Sequence, residues 1–238
     1  MLYHSHQAEW LGSLNAKCRC VCGIPILPIR CRRSVSSGIP VVEEVWDKQE
    51  PNYLDIVDEA LKAFRLDILA LGTYTSPMAN AVVDGAVREG RHLGSFRPMD
   101  TYDRVMTYIM IWIHRCLCIA EEAMNEPGEA PGETSDGSLE DASDSKLSKD
   151  KLLWILKDAS IDADKDGDSI NDWKHTFLLL REESDITRVS SDDLEQLGTY
   201  FRHLRNVTVD RLVRNHLYKD HQSSPSKWWL QYARLVTV

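Results

Sequence analysis

An all-α fold is what this sequence predicts: a small irregular helical bundle with an extended N-terminal arm and long inserted loops. Three observations carry that expectation. Apolar residues recur every three or four positions in several separate stretches, the spacing that gathers them on one helix face. No run of residues alternates apolar and polar at period two, as a half-buried strand would. The 238 residues are 43% hydrophobic and 27% charged, a soluble globular composition with enough chain for one real core.

The first fifty residues show little periodicity. Pro25, Pro28, Gly38 and Pro40 punctuate them, so 1–50 reads as an extended arm lying on a surface, with Leu27, Ile29, Val41 and Val42 to bury. A first helix is expected from about Tyr53 to Leu69, capped by Asn52 and ended by Gly72, with Val57, Ala60, Leu61, Phe64 and Ile68 as its buried stripe. Residues 70–99 are rich in Gly, Ala and Ser and read as an inserted loop. Thr101 to Met124 is the strongest helix. Val105, Ile109, Trp112 and Cys116 form one stripe and Met106, Met110, Ile113 and Leu117 a second, so it should be central and buried on most of its circumference.

Residues 125–146 read as an acidic, disordered Gly/Pro/Ser linker, too polar to offset the entropy of ordering. Within 147–190, a divergent insertion, a short helix is expected behind Ser148 through Leu152 to Leu156, and another from Trp173 to Glu183. Ser191 should cap a long helix carrying Leu194, Leu197, Phe201 and Leu204. A break at Val207-Thr208 is allowed for, after which Val209, Leu212, Val213, His216 and Leu217 continue the pattern. Pro225-Ser226-Lys227-Trp228-Trp229 closes the chain's recognisable elements with two adjacent tryptophans. Exposed Trp is rare, so the pair implies a core or an interface anchor.

The net charge of −9 argues against nucleic-acid binding, which needs a basic face. Much of it is local: seven acids and no base lie between Glu126 and Ser145. Met1 to Gly12 lacks an apolar segment of the secretory type, and Val105 to Ala120 is interrupted by His114 and Arg115. Both features predict a soluble intracellular protein with no membrane insertion.

No G-x-S-x-G, phosphate-binding glycine loop or H-E-x-x-H occurs, so no residue is nominated as catalytic, no cofactor is expected, and the expectation is a non-enzyme. Cys18, Cys20, Cys22 and Cys31, with His4 or His6, resemble a metal set in residue type only. Zinc sites favour C-x2–4-C pairs, so a reduced insertion is the preferred reading. Asp162, Asp164, Asp166, Asp168 and Asp172 form the one calcium-like pattern. A frame from Asp162 has acids at positions 1, 3 and 5 and Gly167 at 6, but Trp173 stands where the bidentate Glu of such a loop belongs. A frame from Asp164 puts His175 there. The alternative function carried by this loop is a calcium-responsive helical binding module; the simpler reading is an acidic turn.

Four blocks, in order, resemble subunit 3 of the actin-related protein 2/3 complex, the small helical subunit of the assembly that nucleates branched actin filaments. The first runs from Tyr3-His4-Ser5 through Leu11-Gly12 to Leu27-Pro28-Ile29-Arg30. The second is Asp55 to Phe64. The third comprises Asp103-Arg104, Tyr108-Ile109 and Cys116-Leu117. The fourth spans Glu195 to Leu217, with Tyr200, Leu204-Arg205, Thr208 and Arg211-Leu212, and resumes at Pro225 to Trp229. About half of the chain is covered. The regions 15–25, 34–50, 70–95 and 125–190 exceed or replace the family's length, and its proline- and phenylalanine-rich middle loop is not recognisable.

The resemblance implies a single domain over 1–238 and a non-catalytic role in the actin-rich cortex of the cytoplasm. It implies docking on actin-related protein 3 and other subunits of the complex, close to the actin filament. Leu27, Pro28, Ile29 and Arg30 of the arm, with Lys227, Trp228, Trp229 and Tyr232, are the expected partner-facing residues. One Trp of the pair should enter the core while the other, with Tyr232, faces outward.

Overall fold

The computed structural model describes residues 4–13, 19–21, 24–30, 54–75, 101–125, 147–165, 190–219 and 223–234. They are largely helical. In chain order the elements are α1 (Gln7–Ser13), β1 (Cys20–Val21), β2 (Ile24–Pro25), α2 (Ile56–Thr75), α3 (Thr101–Asn125), α4 (Lys149–Lys165), α5 (Ser191–Arg211) and α6 (Lys227–Arg234). The two strands form a minimal antiparallel pair, Cys20 opposite Pro25 and Val21 opposite Ile24. Acidic residues 126–146, the predicted helix at 173–183, and Cys18, Cys22 and Cys31 lie outside the described residues.

Helix α3 is the hub. Both of its predicted stripes are buried, Met106, Met110, Ile113, Cys116 and Leu117 completely, and it packs against α2, α4, α5, α6 and β2. A helix covered on this many sides needs apolar residues around most of its circumference, which is what two adjacent stripes supply.

Several boundaries differ from the expectation. Helix α2 begins at Ile56, because Asp55 rather than Asn52 caps it: Asp55 Oδ1 accepts from the amides of Val57 at 3.1 Å and Asp58 at 3.0 Å. It continues through Gly72 to Thr75, so the inserted loop expected at 70–99 does not begin at 70. An interior Gly costs only about 1 kcal/mol relative to Ala, too little by itself to end a helix. The arm holds a short helix, α1, in a stretch without apolar periodicity. Helix α4 is a full seventeen residues, longer than the short helix expected behind Ser148, and it packs into the core. Leu152 and Leu156 are fully buried, and the buried Arg205 of α5 donates to the Ser160 carbonyl of α4 at 3.3 Å and to the Tyr108 hydroxyl of α3 at 2.9 Å.

Helix α5 is capped by Ser190, one residue before the expected Ser191, through a 3.1 Å bond from the Asp193 amide. It does not break at Val207-Thr208. Thr208 instead folds its hydroxyl back on the Leu204 carbonyl at 2.7 Å, which satisfies the buried hydroxyl inside the helix. The irregularity comes later, as a π-helical turn over Leu212–Leu217, closed by the Tyr218 amide on the Val213 carbonyl at 3.0 Å. Among the described residues no helix is long and apolar enough to cross a membrane.

Candidate partner interface

The arm reaches the bundle through a buried ionic junction. The Asp55 side chain has no solvent exposure and Arg211 is 13% exposed. Arg211 grips both Asp55 oxygens, at 2.5 and 2.6 Å, and also donates to Asp58 at 2.9 Å and to the Arg30 carbonyl. Arg30 returns its amide to Asp55 at 2.8 Å and its guanidinium to Asp58 at 2.5 Å. A planar guanidinium suits this bidentate arrangement as an ammonium would not. Asp55 thus caps α2, holds the arm and receives the end of α5 at once.

The arm's apolar residues correct the expectation that they meet a partner. Leu27 and Ile29 are completely buried in this chain's own core, and the Leu27 amide donates to the Tyr200 hydroxyl at 3.1 Å. Residues two apart in extended backbone point to the same side, and here that side is inward. Pro28 is half-buried, while Arg30 is exposed and engaged in the junction.

A second clamp holds the N-terminal segment. The buried Asp103 carboxylate binds His4 Nδ1 and accepts from the Ser5 amide, both at 2.8 Å. Glu59 accepts from the Ser5 hydroxyl at 2.8 Å and from the His6 amide at 3.2 Å. Burial raises the Glu59 carboxyl above its ordinary range, against the opposing pull of its bonds to Ser5 and His6. A carboxyl raised on folding contributes more stability when protonated, so its contribution falls as pH rises through the shifted range. Glu59→Gln, neutral and of equal size, should therefore gain stability relative to the parent chain as the pH is raised from about 5 to about 8. Chemical denaturation of both chains across that range checks it. A variant that loses ground with rising pH would show the ionised carboxylate to be the favoured form.

Midway along α2 the Trp pair divides as expected. Trp229 is 5% exposed and lies parallel to Phe64, with ring centroids 6.1 Å apart and planes 13° apart. Trp228 is 42% exposed, edge-on to Trp229 at 5.7 Å and to the half-buried Tyr232 at 5.3 Å. Adjacent helical residues diverge by about 100°, which suffices to send one indole inward and the other out. The guanidinium of Arg65 sits 4.1 Å above the Trp228 ring. The π-helical turn brings His216 onto Trp229, with centroids 4.8 Å apart, and burial lowers this imidazole below its usual range. Lys227, Lys219 and Lys62 are exposed. Arg65 and Lys219 had no motif to mark them, and His216 was marked only as part of a helical pattern, because the three come from elements far apart in sequence.

Of the calcium-like pattern, Asp162 and Asp164 lie in the final turn of α4. Asp166, Asp168 and Asp172 lie outside the described residues, and among the described residues no three metal-ligating side chains cluster. Cys20 is exposed, whereas burial raises the thiols of Cys116 and Cys118. His4 of the cysteine-histidine set is bound to Asp103. Compared with known protein families and with curated proteins, the chain matches none.

Proposed function

We propose that this chain is a non-catalytic structural subunit of an actin-nucleating assembly of the actin-related protein 2/3 type, acting in the cytoplasmic actin cortex. In that role it docks against actin-related protein 3 and neighbouring subunits, close to the actin filament. One observation supports this above the rest: residues from all four blocks of the resemblance converge on shared buried or partly buried bonds. His4 meets Asp103, Leu27 meets Tyr200, Arg30 meets Asp55, Asp55 meets Arg211, and Tyr108 meets Arg205. Residues that matter to one another physically are thus the residues that carry the likeness. Separately, an exposed Trp backed by a packed aromatic cluster is the kind of side chain that concentrates binding energy at an interface.

Affinity purification of the tagged full chain from its native cells tests the proposal. Two actin-related proteins and further companion subunits should be recovered in stoichiometric amounts. Recovery of the chain as a free monomer overturns it.

A further inference from the structure

We infer that the outward face of α4 pairs two copies of this chain, helix against antiparallel helix. Trp154 is 67% exposed and Ile161 is 48% exposed. They lie seven positions apart, two helical turns, so both belong to one stripe along the outside of α4. Leu152, Leu156 and Ser160 fix that orientation, because all three are completely buried on the opposite side of the helix. Of the four large apolar side chains exposed among the described residues, two stand on this stripe. Exposed Trp is rare enough that one beside a second apolar residue marks a surface meant to be covered. Between the two lie Lys157, half-buried, and Asp158, exposed.

The order of the charges selects the occupant. A two-fold interface is its own complement: where residue i meets residue j, j also meets i. With the helices antiparallel and the axis between Lys157 and Asp158, Trp154 meets Ile161 of the second copy. Lys157 meets Asp158 of the second copy, and each contact occurs twice. The sequence carries the palindrome to the ends of the helix, where Asp150 mirrors Lys165 and Lys151 mirrors Asp164. In each of these four mirrored pairs apolar meets apolar or cation meets anion. An unrelated partner would impose no such symmetry on the order of residues in α4. The helix holds four lysines and four aspartates, so the net charge of −9 does not gather on it. Repulsion from charges elsewhere fades beyond a screening length of about 8 Å. Antiparallel packing also sets the positive N-terminal end of each helix beside the negative C-terminal end of the other. Seventeen residues make a helix only about 25 Å long, so the contact is small and the dimer reversible. The pairing uses a different helix from the Trp228 face, and it stands apart from the assembly proposed above.

Sedimentation equilibrium of the purified full chain, at concentrations spanning the micromolar range, tests the pairing. A reversible monomer–dimer equilibrium is the expected result. Trp154→Ala should weaken it about thirtyfold or more, and since that indole is exposed the variant should melt with the parent. The charge variants test the register. Lys157→Asp and Asp158→Lys each set like charges across the axis, and each should weaken self-association about tenfold. Mixed together, these two variants regain both Lys–Asp contacts and should associate as tightly as the parent. The Lys157→Asp, Asp158→Lys double variant should do so alone. A parent chain that stays monomeric throughout overturns the inference. So does a dimer that Trp154→Ala leaves intact, or a mixture of the charge variants no tighter than either one. A monomer that melts earlier once Trp154 is truncated would show the face covered by this chain's own residues, and the inference fails. It fails equally if the isolated chain is monomeric and Trp154→Ala loses companions from the native assembly, because another subunit then holds the face.

Discussion

Arg211→Met should destabilise the folded chain by about 3–5 kcal/mol, lowering Tm by roughly 6–20 °C. The variant removes the cation but leaves the Asp55 carboxylate fully buried, and an uncompensated buried charge is the costliest product of such a change. It also releases Asp58 and the Arg30 carbonyl, so the arm loses a fastening as well. A second substitution separates these effects. Asp55→Asn keeps an oxygen to cap α2 and removes the charge, so the Arg211→Met, Asp55→Asn double variant should recover part of the loss. Denaturation of the parent, both single variants and the double variant gives the coupling directly. Full stability in Arg211→Met alone would mean that the junction does not hold the arm.

Trp229→Ala and Trp228→Ala should part sharply. Truncating Trp229 opens a cavity against Phe64, His216 and Tyr232 and should cost about 3–5 kcal/mol in stability. Trp228→Ala gives up an exposed indole and a cation–π contact, a stability loss of about 0.5–1 kcal/mol. At an interface the same truncation should cost about 2 kcal/mol or more, or roughly thirtyfold in partner affinity. Thermal melts and quantitative co-purification of partners, run on both variants, check the pair. A Trp228→Ala chain that assembles like the parent would show that no partner uses that indole.

How far the sequence is legible depends on the range of the physics involved. The two stripes of α3 and the stripe of α2 repeat within a few residues, so local spacing alone is enough to predict their burial. The division of the Trp pair follows from helical geometry for the same reason. Leu27 and Ile29 are legible as a same-sided pair, but no local pattern says whether that side meets a partner or the chain's own Tyr200. The junction is less visible still: Asp55 reads as one more acid in the first turn of a helix capped by Asn52, and Arg211 as a charge near a helix end. The acidic run from Asp162 is not legible from spacing alone, because carboxylate spacing looks the same on a helix as on a loop.

The junction also has a consequence for synthesis. Asp55 and Arg211 are 156 positions apart, and a ribosome adds about 5–20 residues per second, so Asp55 leaves the exit tunnel roughly 10–30 s before its partner. Tyr200, which receives the Leu27 amide, is equally late. Through that interval the apolar arm has no finished seat, and the nascent chain presents Leu27 and Ile29 to chaperones or to neighbouring polysomes. Arrival of α5 supplies the cation for Asp55 and the hydroxyl for the Leu27 amide together, so the arm gains both fastenings only once that helix has been made.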